Sequence, residues 1–101
     1  MSDADPAESV DIVQQRLQRH AERLATLTAD LAAIRVSEQS ADGAVTVVVD
    51  GAGAMVDLQL TPAISRMGEN AFAKVLIQTA AAAANRAFAE QAALIQQFNA
   101  G

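Results

Sequence analysis

The segment Gly43-Ala-Val-Thr-Val-Val-Val-Asp-Gly-Ala-Gly-Ala-Met-Val-Asp-Leu-Gln-Leu-Thr-Pro62 limits this chain most, because it spells a β-hairpin between two long alanine-rich stretches of helical pattern. Val45 to Val49 is β-branched throughout and reads as a strand. Asp50-Gly51-Ala52-Gly53 supplies residues that tolerate positive φ in a tight reversal. Met55 to Leu60 then alternates, with Val56, Leu58 and Leu60 on one face and Asp57 and Gln59 on the other. Upstream, Ile34-Arg-Val-Ser-Glu-Gln39 followed by the turn cluster Ser40-Ala-Asp-Gly43 predicts a further strand. Three strands with a helix at each end give the order α-β-β-β-α. The expected class is α+β, with a long N-terminal helix, a three-stranded antiparallel sheet and a long C-terminal helix.

The flanking segments carry the helical period. Val10, Val13, Leu17, His20, Leu24, Leu27, Leu31 and Ile34 recur at alternating spacings of three and four, the pattern of a helix–helix seam. A helix over 9–34 is roughly 39 Å long at 1.5 Å per residue. Asp5-Pro6 and Ser9 are rival starts for it. After the sheet, Thr61-Pro62 caps and opens a helical turn, Met67-Gly68 breaks it, and a second long helix runs from Glu69 or Asn70 to about Phe98. In that helix the large residues Phe72, Val75, Leu76, Phe88, Ile95 and Phe98 surround a small-residue section, Ala80 to Ala84, against which another backbone can approach closely.

At 101 residues the chain holds one domain: an acidic, disordered leader over 1–8 and a single α+β unit over 9–98. Strands of this length make a sheet roughly 17–20 Å across, so helices near 40 Å overhang it. Apolar seams left in water are a liability, which predicts a two-fold homodimer. Its expected interface comprises Leu17, Leu24, Leu27, Leu31, Ala80, Ala83, Ala84 and Phe88.

Composition removes several function classes. Cysteine is absent, which excludes disulfides, thiolate metal sites and cysteine nucleophiles. One histidine cannot build a metal site on its own, and no nucleophile, base and orienting residue are grouped. Asp50 belongs to a turn and Asp57 to a polar strand face, so they are no catalytic pair. Gly51-Ala-Gly53 precedes a strand, whereas a phosphate loop needs a helix start. No enzyme activity, cofactor or metal is therefore expected. The N-terminus is acidic, unlike a secretory leader, and no apolar run is long enough to span a bilayer, so a cytoplasmic location without membrane attachment is expected. The net charge is −5. Asp3, Asp5, Glu8 and Asp11 account for most of it, leaving eight acids against seven bases over 12–101.

The strand Gly43-Ala-Val-Thr-Val-Val-Val-Asp-Gly51, the short reversal, the strand Val56-Asp-Leu-Gln-Leu-Thr-Pro62 and the alanine-rich helix after it resemble the YbaB/EbfC family of bacterial nucleoid-associated proteins. The resemblance covers about residues 10–98. It implies a tweezer-like α+β homodimer that binds duplex DNA with modest sequence preference and affects chromosome organisation or gene expression at the nucleoid. The acidity and the scarcity of Lys mark this chain as a divergent member. Divergent members that sit with type VII secretion systems imply a second reading, a dimeric adaptor or chaperone-like module with a protein partner and no DNA.

Within that frame Arg16, Arg19 and Arg23, at i, i+3 and i+7, share one helical face with His20 at its border. A dimer presents this stripe twice, and phosphate neutralisation by Arg is what non-specific DNA binding requires. The competing reading is a solvated flank of the seam, with His20 as a polar residue fixing register. Lys74 and Arg86 fall on different faces of the last helix and read as separate surface charges.

Overall fold

A computed structural model describes residues 6–100. Residues 1–5 of the expected leader, including Asp5 as a cap, and Gly101 lie outside the described residues. The order is α1 (Pro6–Ala32), β1 (Arg35–Gln39), β2 (Val45–Asp50), β3 (Met55–Leu60), a 3-10 turn (Pro62–Arg66) and α2 (Glu69–Ala100). This is the α-β-β-β-α arrangement, with an antiparallel sheet in the order β1-β2-β3. Helix already runs at Pro6–Glu8, three residues inside the span expected as leader. Proline suits a first helical position, where its missing N–H removes no bond.

Local chemistry sets each boundary. α1 stops at Ala32, two residues before the expected end at Ile34, and the Arg35 guanidinium donates to the Ala32 carbonyl (3.2 Å) and the Ile34 carbonyl (2.7 Å). Carbonyls orphaned at a helix end gain a donor in this way. In the β1–β2 turn, Asp42 Oδ1 accepts from Ser40 Oγ (2.7 Å) and the Ala44 N–H (3.0 Å), and Gly43 takes φ +73°. In the β2–β3 turn Asp50 Oδ1 accepts from the Ala52 and Ala54 N–H groups, both at 3.0 Å, and Gly53 takes φ +82°. Thr61 caps the 3-10 turn by accepting from the Ala63 N–H, and its own hydroxyl donates to the Gly43 carbonyl (3.2 Å).

The core is narrow. Val45, Val47 and Val49 alternate inward from β2, join Val36 and Ile34, and rest on Ala83 and Ala87 of α2. Alanines at the contact let α2 lie close to the sheet, so four valines are sealed from water by a single helix. Full burial of each is worth roughly 1.5–3 kcal/mol. Thr79 is buried in the same row, and its hydroxyl donates to the Val75 carbonyl at 2.7 Å.

α2 lies beneath β2 and β1 and leaves β3 without a helix under it. Leu58 and Leu60 pair with Val47 and Val45 and so point to the helix side, yet they remain exposed. The register shifts at Val48/Val49, so Met55 pairs with Val49 and Val56 has no partner. The apolar face expected of Val56, Leu58 and Leu60 is thus Met55, Leu58 and Leu60, because a bulge moves a side chain out of the alternation.

Both helices outrun the sheet. The described chain measures 79 × 17 × 15 Å with a radius of gyration of 22.4 Å, against about 13 Å for a compact chain of 100 residues. The second half of α1 returns along the end of α2, while its first half packs on no other element among the described residues. Val10, Ile12, Val13 and Leu17 are consequently 48–63% exposed. No described helix is long and apolar enough to cross a membrane.

Candidate nucleic-acid interface

The arginine stripe is built where α1 passes the end of α2. Arg16, Arg19, His20 and Arg23 lie within about 100° of arc on α1, since each residue advances the helix by 100°. All four are exposed. They divide into two pairs by what they touch. His20 packs against the Phe98 ring, with centroids 5.9 Å apart and planes tilted by 52°. The Arg23 guanidinium stands 4.9 Å over the same ring and donates to the Phe98 carbonyl at 2.6 Å.

Arg23 therefore has a structural task. Phe98 lies in the last turn of α2, whose final carbonyls have no helical donor and carry the negative end of the helix dipole. A cation from α1 satisfies one of them and partly neutralises that end. Arg16 and Arg19 have no ion pair or side-chain hydrogen bond among the described residues. Arg19 lines the groove beside Gln97 and Phe98 near the end of α2, and Arg16 lies one turn further towards the start of α1, both exposed to an approaching phosphate.

Between the two helices an open groove of about 590 Å³ is lined by Arg19, Glu22, Arg23 and Asp30 together with the apolar Leu27, Leu94 and Phe98. Its lining holds both signs of charge. The seam residues expected at a subunit interface are distributed unevenly. Leu17 and Leu24 are exposed, while Leu27 and Leu31 are half-buried, Leu27 in the groove and Leu31 against the core. Ala80 also packs on the core, Ala84 lies under the β2–β3 turn, and Phe88 is exposed beside it. Ala83 is fully buried beneath its own sheet, so the protomer itself uses it.

Two residues play parts that helical spacing did not single out. Arg86, expected as a separate surface charge, donates to the Ser37 carbonyl (3.0 Å) and pairs with Glu38 at 2.6 Å, tying α2 to β1. Its sequence signal was only its charge, and the partner is 48 residues away. Phe98 was legible as an apolar helix residue, but its use as a platform for His20 and Arg23 depends on the return of α1. Among the described residues no cluster of His, Asp or Glu could hold a metal ion.

The model of the YbaB/EbfC DNA-binding family matches residues 8–101. Among solved structures, an uncharacterized protein from Helicobacter pylori, HP0035, superposes with a TM-score of 0.66 at 17% identity, covering 94% of this chain and 97% of that one. At that identity the likeness speaks for the fold alone. No curated protein sequence matches.

Proposed function

Since the chain belongs to the YbaB/EbfC DNA-binding family, we propose that it binds duplex DNA as a homodimer with low sequence specificity, and acts at the bacterial nucleoid in chromosome organisation or gene regulation. The observation that carries this reading is the position of Arg16 and Arg19. They stand together on one exposed face of α1 near the end of α2, where a duplex backbone can reach them. Arg23 and His20 border the contact and hold α2 in place.

Phosphate contacts release counterions, so affinity falls as salt rises. Four such arginines in a dimer give a slope of log K against log salt of roughly −4. A salt-dependent mobility-shift titration reads this directly. Replacing Arg16 and Arg19 by Ala flattens the slope by about one unit for every phosphate that is no longer neutralised, while Arg23→Ala first loosens the end of α2 and exposes its last amides to exchange. No shifted band at micromolar protein in low salt overturns the DNA reading.

The free apolar run Val10, Ile12, Val13 and Leu17 and the charge of −5 favour a second reading, a dimeric adaptor for another helical protein with a link to type VII secretion. A nuclease-treated pull-down separates the two. A discrete protein recovered in the absence of nucleic acid supports the adaptor, and neighbours that disappear on nuclease treatment support DNA.

A further inference from the structure

Of the three arginines in the α1 row, only Arg23 makes a side-chain hydrogen bond or ring contact among the described residues. Its guanidinium lies 4.9 Å over the Phe98 ring and donates to the Phe98 carbonyl at 2.6 Å. His20 packs on the same ring, with centroids 5.9 Å apart. Phe98 belongs to the last turn of α2, where a side chain is free to stay in water, yet it is only partly exposed. Two residues of α1 thus clasp the end of α2.

The place where Arg23 is held is unfavourable for a phosphate. Glu22 and Asp30 line the groove together with Arg19 and Arg23, and the carbonyls that end α2 add the negative end of a helix dipole. Arg23 makes an ion pair with neither carboxylate among the described residues, and its hydrogen bond goes to the carbonyl instead. A phosphate entering the groove to reach this guanidinium therefore meets two carboxylates and a helix C-terminus on the way. Arg16 imposes no such approach, since it lies a turn or more outside the groove.

Once unpinned, the same side chain is well placed for DNA. Arg23 follows Arg16 by seven residues, which sets the two roughly 20° apart round α1 and about 10 Å apart along it, with Arg19 between them. We propose that the clasp on Phe98 withholds Arg23 from DNA: each protomer offers two phosphate contacts while the end of α2 is held, and three once it is let go. The inference rests on the DNA reading above and adds a control to it. Whatever loosens the last turn of α2 strengthens binding and makes it more sensitive to salt.

Phe98→Gly in the full chain removes the ring and frays the turn that positions the carbonyl, because Gly is a poor helix former. In mobility-shift titrations on a random-sequence duplex, the slope of log K against log salt should steepen from roughly −4 to roughly −5.5, as two further phosphates are neutralised per dimer. Between about 50 and 200 mM salt the parent then loses affinity about 150-fold and the variant about 1,800-fold. Arg23→Ala should leave the parent slope unchanged, and combined with Phe98→Gly it should bring the slope back to roughly −4. A purely structural tie predicts neither the steepening nor its reversal. If Phe98→Gly loses helix by far-UV circular dichroism, Phe98→Leu decides, since Leu keeps helix propensity and apolar bulk but has no ring face, and it should shift the slope in the same direction. If the parent binds and the folded Phe98 variant does not steepen the slope, or Arg23→Ala alone flattens it, Arg23 is not withheld and the DNA reading stands. If the parent gives no shifted band at micromolar protein in low salt, both fall.

Discussion

Gly53 shows how one position can be held by both backbone and packing. Its φ of +82° lies in the left-handed region, and a Cβ built there falls 2.8 Å from Phe88 Cζ. Left-handed backbone costs an L-residue roughly 1–2 kcal/mol, and Phe88 must also move. Gly53→Ala is therefore expected to lower stability by at least about 1 kcal/mol, read as an earlier midpoint in urea unfolding. Gly51 lacks the positive φ and is held by close approach instead, since a Cβ there falls 3.1 Å from the Leu31 carbonyl oxygen. Asp42 contributes through charge. The hydrogen bond from Ser40, and then that from the Ala44 N–H, hold its carboxyl below the ordinary 3.8. A group depressed on folding adds stability above its unfolded pKa, and that contribution is lost as pH falls through the folded one. The stability difference between the parent chain and Asp42→Asn should accordingly be present at neutral pH and shrink as pH falls from about 3.8 through the lower pKa of the folded chain, in urea titrations run at each pH.

At the scale of elements, the strands and helices were readable from local pattern, and most of their boundaries moved by no more than two or three residues. The hairpin residues and the β-branched run decided this without help from distant contacts. The bulge at Val56 escaped, because strict alternation and a bulged strand have the same sequence until a partner strand fixes the register. The role of the alanine section is a second case. Small residues on a helix announce close approach, but Ala83 and Ala87 meet their own sheet. Val47 sits over this contact with no exposed surface. Val47→Ala, which leaves a void between two elements that cannot close further, should cost about 2 kcal/mol by analogy with other large-to-small core changes. Thermal unfolding monitored by circular dichroism checks it. A negligible change means that α2 does not seal β2 as described.

For the whole molecule, length is the decisive property. A 79 Å rod with one narrow core leaves the first half of α1 with no tertiary partner among the described residues. Helices shorter than about 12–15 residues are marginal in water without tertiary support, so residues 9–19 should exchange their amide hydrogens rapidly in a lone protomer and slowly when a partner covers Val10, Val13 and Leu17. Hydrogen exchange at two protein concentrations tests this. Fast exchange over 9–19 at both, in a chain that sediments as a dimer, means the dimer contact lies elsewhere.

By itself the sequence determined the element order, the α+β class, the exclusion of thiol chemistry and the face that carries Arg16, Arg19, His20 and Arg23. Each of these follows from spacing along one helix or strand, or from composition, and needs no long-range contact. Only the tertiary structure decided that Arg23 and His20 grip Phe98, that Arg86 binds Glu38 and that β3 is an uncovered edge. Those outcomes depend on where α1 and α2 cross relative to a twisted sheet, which is settled by packing between residues up to 75 positions apart, beyond the reach of any local periodicity.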